Sequence, residues 1–346
     1  MLELVVPGLI SSLQALHARE QAQVPALMML QARSQGEPTE AESVEDLVCR
    51  RHGLAKQADW PLAALTYEFD GGRAGSDYWL RADPVHVEVR RDKLMLTDKL
   101  DIADDEAHAL CHALAAHFGD QLAPLAMHPS RWYLRVPADP AITTTPLSHA
   151  RGRAIESLLP HGPGAPGWHK LLNEAQMLLF DHPVNQAREK RHAKPINSLW
   201  LWGGGTLPPA PVWAPRHGDF YGSDFTSRAI AKFANAAVHP LPQQWQPVIG
   251  DRALCLMDEL ARSWLNQDVG AWEAALERLE SGWIGPLIKA GMTYRVTDPE
   301  AGVALRWRPF DRWKFWRRPA RSAPPPIDLV APPSVHPTMD EFGNRY

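Results

Sequence analysis

Leu2 to Val6 is a short apolar run stopped by Pro7-Gly8, the pattern of a buried strand followed by a turn. Ser11 or Ser12 can cap a helix reaching about Glu20, and Pro25 to Gln31 makes a second, more apolar helical piece. Residues 34–42 read as polar loop, after which Ser43-Val44-Glu45-Asp46 opens a helix through His52. A Gly-rich break from Asp70 to Ser76 is a candidate boundary. From Tyr78 the period changes to alternation. Trp79 to Arg90 reads as a strand, with Val85, Val87 and Val89 alternating with His86, Glu88 and Arg90. Asp92-Lys93 turns it into a second strand, Leu94 to Leu96. Asp104, Asp105 and Glu106 start a helix through Phe118, acidic where the helix dipole favours it, and Arg131 to Val136 is another strand.

The most sharply structured stretch is Leu159 to Gly205. A Gly- and Pro-rich turn opens an amphipathic helix that stops at a proline; a basic segment and an apolar strand ending in three glycines follow. Beyond Pro240–Pro247, residues 252–265 and 270–290 read as helices. Leu254, Met257, Ala261 and Leu265 line one face of the first; Trp272, Leu276, Leu279 and Trp283 line the second. Arg306 to Arg318 is aromatic and basic, and the repeated prolines from Pro319 onward predict a disordered tail.

Composition narrows the classes. At 346 residues the chain is long for one core and implies two domains, or one core with a large insertion. A net charge of -4 excludes a globally basic nucleic-acid binder but not a local basic patch. Three widely spaced cysteines, Cys49, Cys111 and Cys255, fit a reducing compartment and argue against a disulfide framework. The apolar start has no basic n-region or cleavage site, and no run of 18 apolar residues occurs, so the expectation is a cytoplasmic protein with no membrane span.

Each candidate chemistry has a plainer competitor. Gly162, Gly164 and Gly167 precede a helix and could receive an anion, but neither a P-loop nor a dinucleotide spacing is present, and a tight turn explains them. His108 and His112 have metal-sharing helical spacing, yet exposed helix histidines read the same way. His161, His169 and His182 flank the central helix, and His217-Gly218-Asp219 follows the triple glycine; either group could hold a metal or move a proton. Thr143-Thr144-Thr145 has no companion base that sequence can identify, and no G-x-S-x-G occurs. The run from Arg306 to Arg321 could contact single-stranded nucleic acid, its arginines on phosphate and its rings on bases. The competing reading docks Trp313 and Trp316 on the core and leaves Arg312, Lys314 and Arg317 solvated.

From Val85 to Gly205 the order of elements resembles the insertion domain of archaeal-type, cofactor-independent phosphoglycerate mutases. The hairpin VHVEVRRDKLMLTD, the helix DDEAHALCHALAAHF, the strand RWYLRV, HPVN with Arg188 after it, and PINSLWLWGGG carry the likeness. The whole chain looks like the RpfE-type bacterial regulatory proteins, through LPHGPGAPGWHKLLNEAQMLLFDHPVN, NSLWLWGGG and WKFWRRP. The mutases belong to the alkaline-phosphatase superfamily and use two metal ions, a serine nucleophile, an N-terminal Asp beside Gly, and a later G-D-H. Here Pro7-Gly8 stands after the first strand and no G-D-H occurs.

The resemblance therefore implies an α/β fold: a reduced alkaline-phosphatase-like core from residues 1–80 plus 241–318, an α+β insertion domain at 81–240, and a tail at 319–346. It implies a non-catalytic regulatory or scaffold protein, with no cofactor or metal, that acts through a protein partner or a small phosphorylated ligand. The alternative is a metal-dependent phosphate-ester enzyme, phosphomutase- or phosphohydrolase-like, with rearranged ligands. The expected binding surface comprises His161, His182, Asn185, Arg188, Asn197, Gly203, Gly204 and Gly205. Arg188 would clamp an anion there; the competing role for the two asparagines is to tie loop backbone.

Overall fold

The computed structural model describes residues 1–19, 24–90, 92–209 and 217–317. The segment 319–346, expected to be a disordered tail, lies outside the described residues. The fold is mixed α/β, as the sequence predicts, and the described residues form two sheets. The strands are β1 (Leu2–Val5), β2 (Gln35–Pro38), β3 (Tyr78–Arg90), β4 (Lys93–Thr97), β5 (Leu125–His128) and β6 (Arg131–Val136). They continue with β7 (Ser198–Thr206), β8 (Asp219–Tyr221), β9 (Ala237–His239), β10 (Ala253–Leu256), β11 (Tyr294–Asp298) and β12 (Val303–Trp307).

The larger sheet runs β2-β12-β11-β1-β10-β8-β9. Its five strands from β11 to β9 are parallel, and β12 and β2 add an antiparallel edge. A parallel sheet needs cover on both faces, which is why β1 is apolar at nearly every position. Leu2, Leu4 and Val6 pack with Leu9, Leu13, Trp272 and Trp283 on one side, while Val5 joins Val48, Leu65, Phe220 and Ile230 on the other. Glu3 is the exception. Arg51 and Thr297 donate to it and His217 lies 3.5 Å away; although burial opposes ionisation, these donors bring its carboxyl down to about 2.

The second sheet is built on the long β3, which pairs with β7 along one edge and with β6 and then β4 along the other; β5 closes it. Helices Asp104–Phe118 and Ala165–Phe180 cover one face. Helix Leu62–Phe69 packs on β7 and β3 and also on helix Phe225–Phe233, so it is shared between the sheets.

Several expectations are corrected. The helix read from residue 252 begins as strand β10, and the helix proper is Glu259–Leu265. Ala253 to Leu256 is buried throughout between β1 and β8, and a short continuous apolar run looks alike in strand and helix. β8 and β9, read as part of the 81–240 insertion, pair within the larger sheet; the strands of the second sheet run from Tyr78 to Thr206. β2 occupies the segment read as polar loop. Trp313 and Trp316 do not dock on the core but stand exposed.

Candidate functional site

In open α/β sheets, ligands bind outside the carboxyl ends of the parallel strands. Pro7-Gly8 follows β1 there, Asp224 lies beyond β8, Asp258 beyond β10, and Asp298 ends β11. Each carboxylate is already committed. Asp298 sits at the start of helix Leu9–Arg19 and accepts from the backbone N–H of Ile10 at 2.9 Å and of Gly8 and Ala301 at 3.4 Å. Burial nevertheless pushes its carboxyl up to about 6. Asp224 caps helix Phe225–Phe233 through Ser227 N–H at 2.7 Å, and Asp258 pairs with Arg262 at 3.2 Å. Glu45, in helix Val44–Arg51, accepts from Ser148 Oγ at 2.6 Å. Burial first, and the charge of Asp224 second, raise its pKa to about 7.

Ser148 belongs to a segment, residues 144–153, that joins the second sheet's strands to its long helix and lies across these strand ends. Arg153 pairs with Glu300 at 3.1 Å, and Arg151 pairs with Asp98. Gly152 has φ +70°, and a Cβ there would stand 2.5 Å from Leu265 Cδ2, so the backbone lies directly against helix Glu259–Leu265. Thr144 gives both its N–H and its hydroxyl to Asp59 at 2.9 and 2.5 Å, so the companion carboxylate absent from the sequence reading comes from 85 residues upstream. Thr144 Oγ1 also accepts from Gly203 N–H at 3.1 Å. Beside this segment a cavity of about 270 Å³ is lined by Glu42, Asp46, Lys56, Asp59, Thr144 and His149. Among the described residues His149 Nδ1 has no partner, and burial lowers that imidazole's pKa.

The expected binding residues fall into separate places. Arg188 is only 1% exposed. Its Nε donates to Lys194 O at 2.8 Å, and its Nη1 to Asp101 O at 2.8 Å and Glu106 Oε2 at 2.5 Å. Asn185 donates to the carbonyls of Leu179 and Ile196 at 2.7 and 2.8 Å and accepts from Ile196 N–H at 2.8 Å. The Asn197 amide accepts from Val87 N–H at 2.7 Å and donates to Val87 O at 2.8 Å, prolonging the β3–β7 ladder with a side chain. These are the backbone-tying roles, and Arg188 braces the same loop. His182 Nδ1 accepts from Val184 N–H at 3.2 Å and caps helix Pro183–Lys190.

His161 is at the far end of helix Ala165–Phe180, whose 16 residues span about 24 Å, so it shares no site with His182. His169 stays at that end, giving Nε2 to Pro160 O at 2.7 Å. Gly203, Gly204 and Gly205 lie some 20 Å along β7 from Asn197 and face the start of helix Leu62–Phe69 and Tyr78. His108 and His112 are exposed on their helix, and among the described residues no three His, Cys, Asp or Glu side chains converge as metal ligands. His217 is buried against Glu3, and Asp219 pairs with His239 at 3.0 Å.

Sequence reasoning missed a buried ion pair in the second sheet. Arg81 donates twice to Asp83 Oδ1, at 3.0 and 2.7 Å, between the rings of Tyr133 and Trp202, and Trp202 Nε1 donates to Asp83 at 2.8 Å. The signal was available: residues two apart on a strand share a face, so Arg81 and Asp83 had to meet.

The class defined so far is an α/β protein whose parallel strand ends are capped by the segment that joins its second sheet to the helix Ala165–Phe180. No family model matches the chain. It is similar to 2,3-bisphosphoglycerate-independent phosphoglycerate mutases: 31% identical over 140 residues to that of Methanosarcina barkeri and 40% identical over 78 residues to that of Methanothrix thermoacetophila. These matches cover 39% and 22% of this chain but only 34% and 19% of those proteins, so the chain spans about a third of its curated relatives or less. Among solved structures, the cofactor-independent phosphoglycerate mutase of Thermoplasma acidophilum is similar at TM-score 0.40 and 18% identity, over 89% of each chain. The PH0037 protein of Pyrococcus horikoshii is similar at TM-score 0.45 and 15% identity, over 89% of this chain and 87% of that one. The chain is thus distantly similar to these mutases, and the sequence matches support a mutase-like ancestry. No helix among the described residues is long and apolar enough to cross a membrane.

Proposed function

We propose that this chain is a non-catalytic regulatory or scaffold protein of mutase-like ancestry, which acts by binding a partner rather than by turnover. The commitment of the strand-end carboxylates carries this reading. Two-metal phosphoryl transfer needs carboxylates and imidazoles free to converge on both ions. Here Asp298 and Asp224 hold helix N-termini, while Glu45 and Glu300 fasten the 144–153 segment over the strand ends. Beyond β1, where the resemblance calls for a metal-binding Asp beside Gly, the residue before Gly8 is Pro7.

A macromolecular partner fits better than a small phosphorylated ligand. The 270 Å³ cavity sets Glu42, Asp46 and Asp59 against the single ammonium of Lys56, which already stands 3.6 Å from Asp46, so a phosphate would meet net negative charge. The likeness to RpfE-type regulatory proteins accords with this reading, and three buried, unpaired cysteines accord with work in the cytoplasm. The test is elemental analysis of the purified chain after dialysis against zinc, manganese or magnesium, together with a mutase assay on 3-phosphoglycerate. Metal well below one ion per chain and no turnover are expected. Two tightly bound ions with turnover that depends on them would overturn the proposal in favour of a phosphate-ester enzyme with rearranged ligands.

A further inference from the structure

The last described segment is fixed in its backbone and open in its side chains. Pro309–Trp313 forms a 3-10 turn held by Asp311, which is buried and accepts from Arg308 N–H at 2.8 Å and from Lys314. Arg33, from helix Pro25–Arg33, donates to Arg312 O and ties the turn to the larger sheet's cover. Against this anchored backbone, Phe310, Trp313, Phe315 and Trp316 are 80, 61, 76 and 67% exposed. Large rings concentrated in this way on a surface mark an interaction site. Arg308, Arg312 and Arg317 form no ion pair among the described residues, and the Arg312 guanidinium lies 4.9 Å from the Trp313 ring centre.

We propose that the segment Arg308–Arg317 is a binding site for single-stranded nucleic acid. Cations and rings alternate along it as Arg308, Phe310, Arg312, Trp313, Lys314, Phe315, Trp316 and Arg317. A single strand offers the same alternation, a phosphate and an unstacked base face at every nucleotide, and both halves of the contact are sequence-tolerant. Local charge is complementary to phosphate even though the whole chain is acidic. A lipid surface fits less well, because it requires apolar and cationic groups on opposite faces of an amphipathic helix. Here they are interleaved around a single turn. A duplex keeps its base faces stacked and beyond the reach of these rings. The inference names the partner in the binding reading above, and its test is independent of the metal and turnover assays.

The experiment is fluorescence anisotropy of the full chain with labelled oligo-dT of about 20 nucleotides, longer than the roughly 4–16 that one binding module covers. Saturable binding is expected. Three neutralised phosphates predict an affinity about twenty-fold weaker at about 200 mM salt than at about 50 mM, from a slope of roughly −0.7 per phosphate. Replacing Trp313→Ala and Trp316→Ala together should weaken binding about a hundredfold, roughly tenfold per stacked base, with the salt slope unchanged. Replacing Arg312→Ala and Arg317→Ala should instead flatten the slope. No binding to oligo-dT, equal binding to a duplex of the same length, or binding only to phosphatidylserine vesicles would overturn the proposal. So would a tryptophan variant that binds as the parent does, or one that melts well below it and so shows the rings to be packed.

Discussion

The loop around Arg188 and the segment around Trp313 carry similar material, a basic side chain set among turn residues and apolar neighbours, and are built in opposite ways. Arg188 is enclosed, with two carbonyls and a carboxylate accepting from it, and the amides of Asn185 and Asn197 knit the surrounding backbone. Around Trp313 the backbone is held by Asp311 and Arg33, and the rings and guanidinium groups face outward. An arginine is drawn inside where nearby backbone leaves carbonyls without partners, because an unpaired buried acceptor costs more than ordering the side chain. A tryptophan stays outside where no sheet face remains to receive it. Both faces of the larger sheet are filled before residue 308 is reached.

The largest effect should come from breaking the enclosed member of the pair. Replacing Arg188 by Ala leaves the Lys194 and Asp101 carbonyls without their donor and Glu106 with only Arg191 and the Ala103 N–H, and should remove about 3–5 kcal/mol of stability, read as a lowered melting temperature. A variant that folds normally but loses an activity would instead make Arg188 a binding group.

Next in size is the pH dependence of the strand-end clasp. Glu45 has its pKa raised to about 7 from an ordinary 4.5, so the folded chain holds that proton more tightly than the unfolded one. Its contribution is fully present below about 4.5 and is lost as pH rises through 7, a swing of ~3 kcal/mol. Glu45→Gln should therefore melt like the parent at pH 4.5 and well above it at pH 8. Parallel pH profiles for parent and variant would show that Glu45 is not held neutral. Glu3 has the opposite sign: its stabilisation is present above the ordinary carboxylate range and disappears as pH falls toward 2.

Gly203→Ala should lower stability by about 1–3 kcal/mol. At φ +69° the new Cβ would stand 3.1 Å from Leu62 Cβ and 3.3 Å from Ala63 N, so the helix must retreat from β7. An unchanged melting curve would mean that the glycine serves something other than close packing. The smallest effect belongs to the open member of the pair. Trp313→Ala should change stability by less than about 0.5 kcal/mol, as substitutions of exposed side chains do. A loss several times larger would place the ring in the core and erase the contrast with Arg188.

Local periodicity made the β3–β4 hairpin legible in the sequence, since Val85, Val87 and Val89 alternate with polar residues on a half-covered sheet. Ser43 with Asp46 announced its helix by capping chemistry, which the structure realises in full. β8 and β9 escaped because three-residue strands such as Asp219–Tyr221 have no period to detect; only their neighbours in the sheet define them. The candidate site was less legible than the fold. Glu45, the pair Ser148 and Arg153, and Glu300 come from three distant stretches and meet only when the second sheet folds back over the first. Gly203 to Gly205 and, well away from them, the asparagines near Arg188 stand out in the sequence because backbone strain and loop ties look, in one dimension, like preparations for a ligand.

The position of β1 has a consequence for how the chain is made. It lies at the centre of the larger sheet, yet its partners β10 and β11 are encoded far downstream, with Glu3 opposite Leu254 and Arg295. At a synthesis rate of roughly 5–20 residues per second, β1 waits on the order of 10–50 s for its first neighbour. During that interval Leu2–Val6, apolar but for Glu3, lacks its sheet partners, and pairing across so long a sequence separation is expected to make renaturation from denaturant slow.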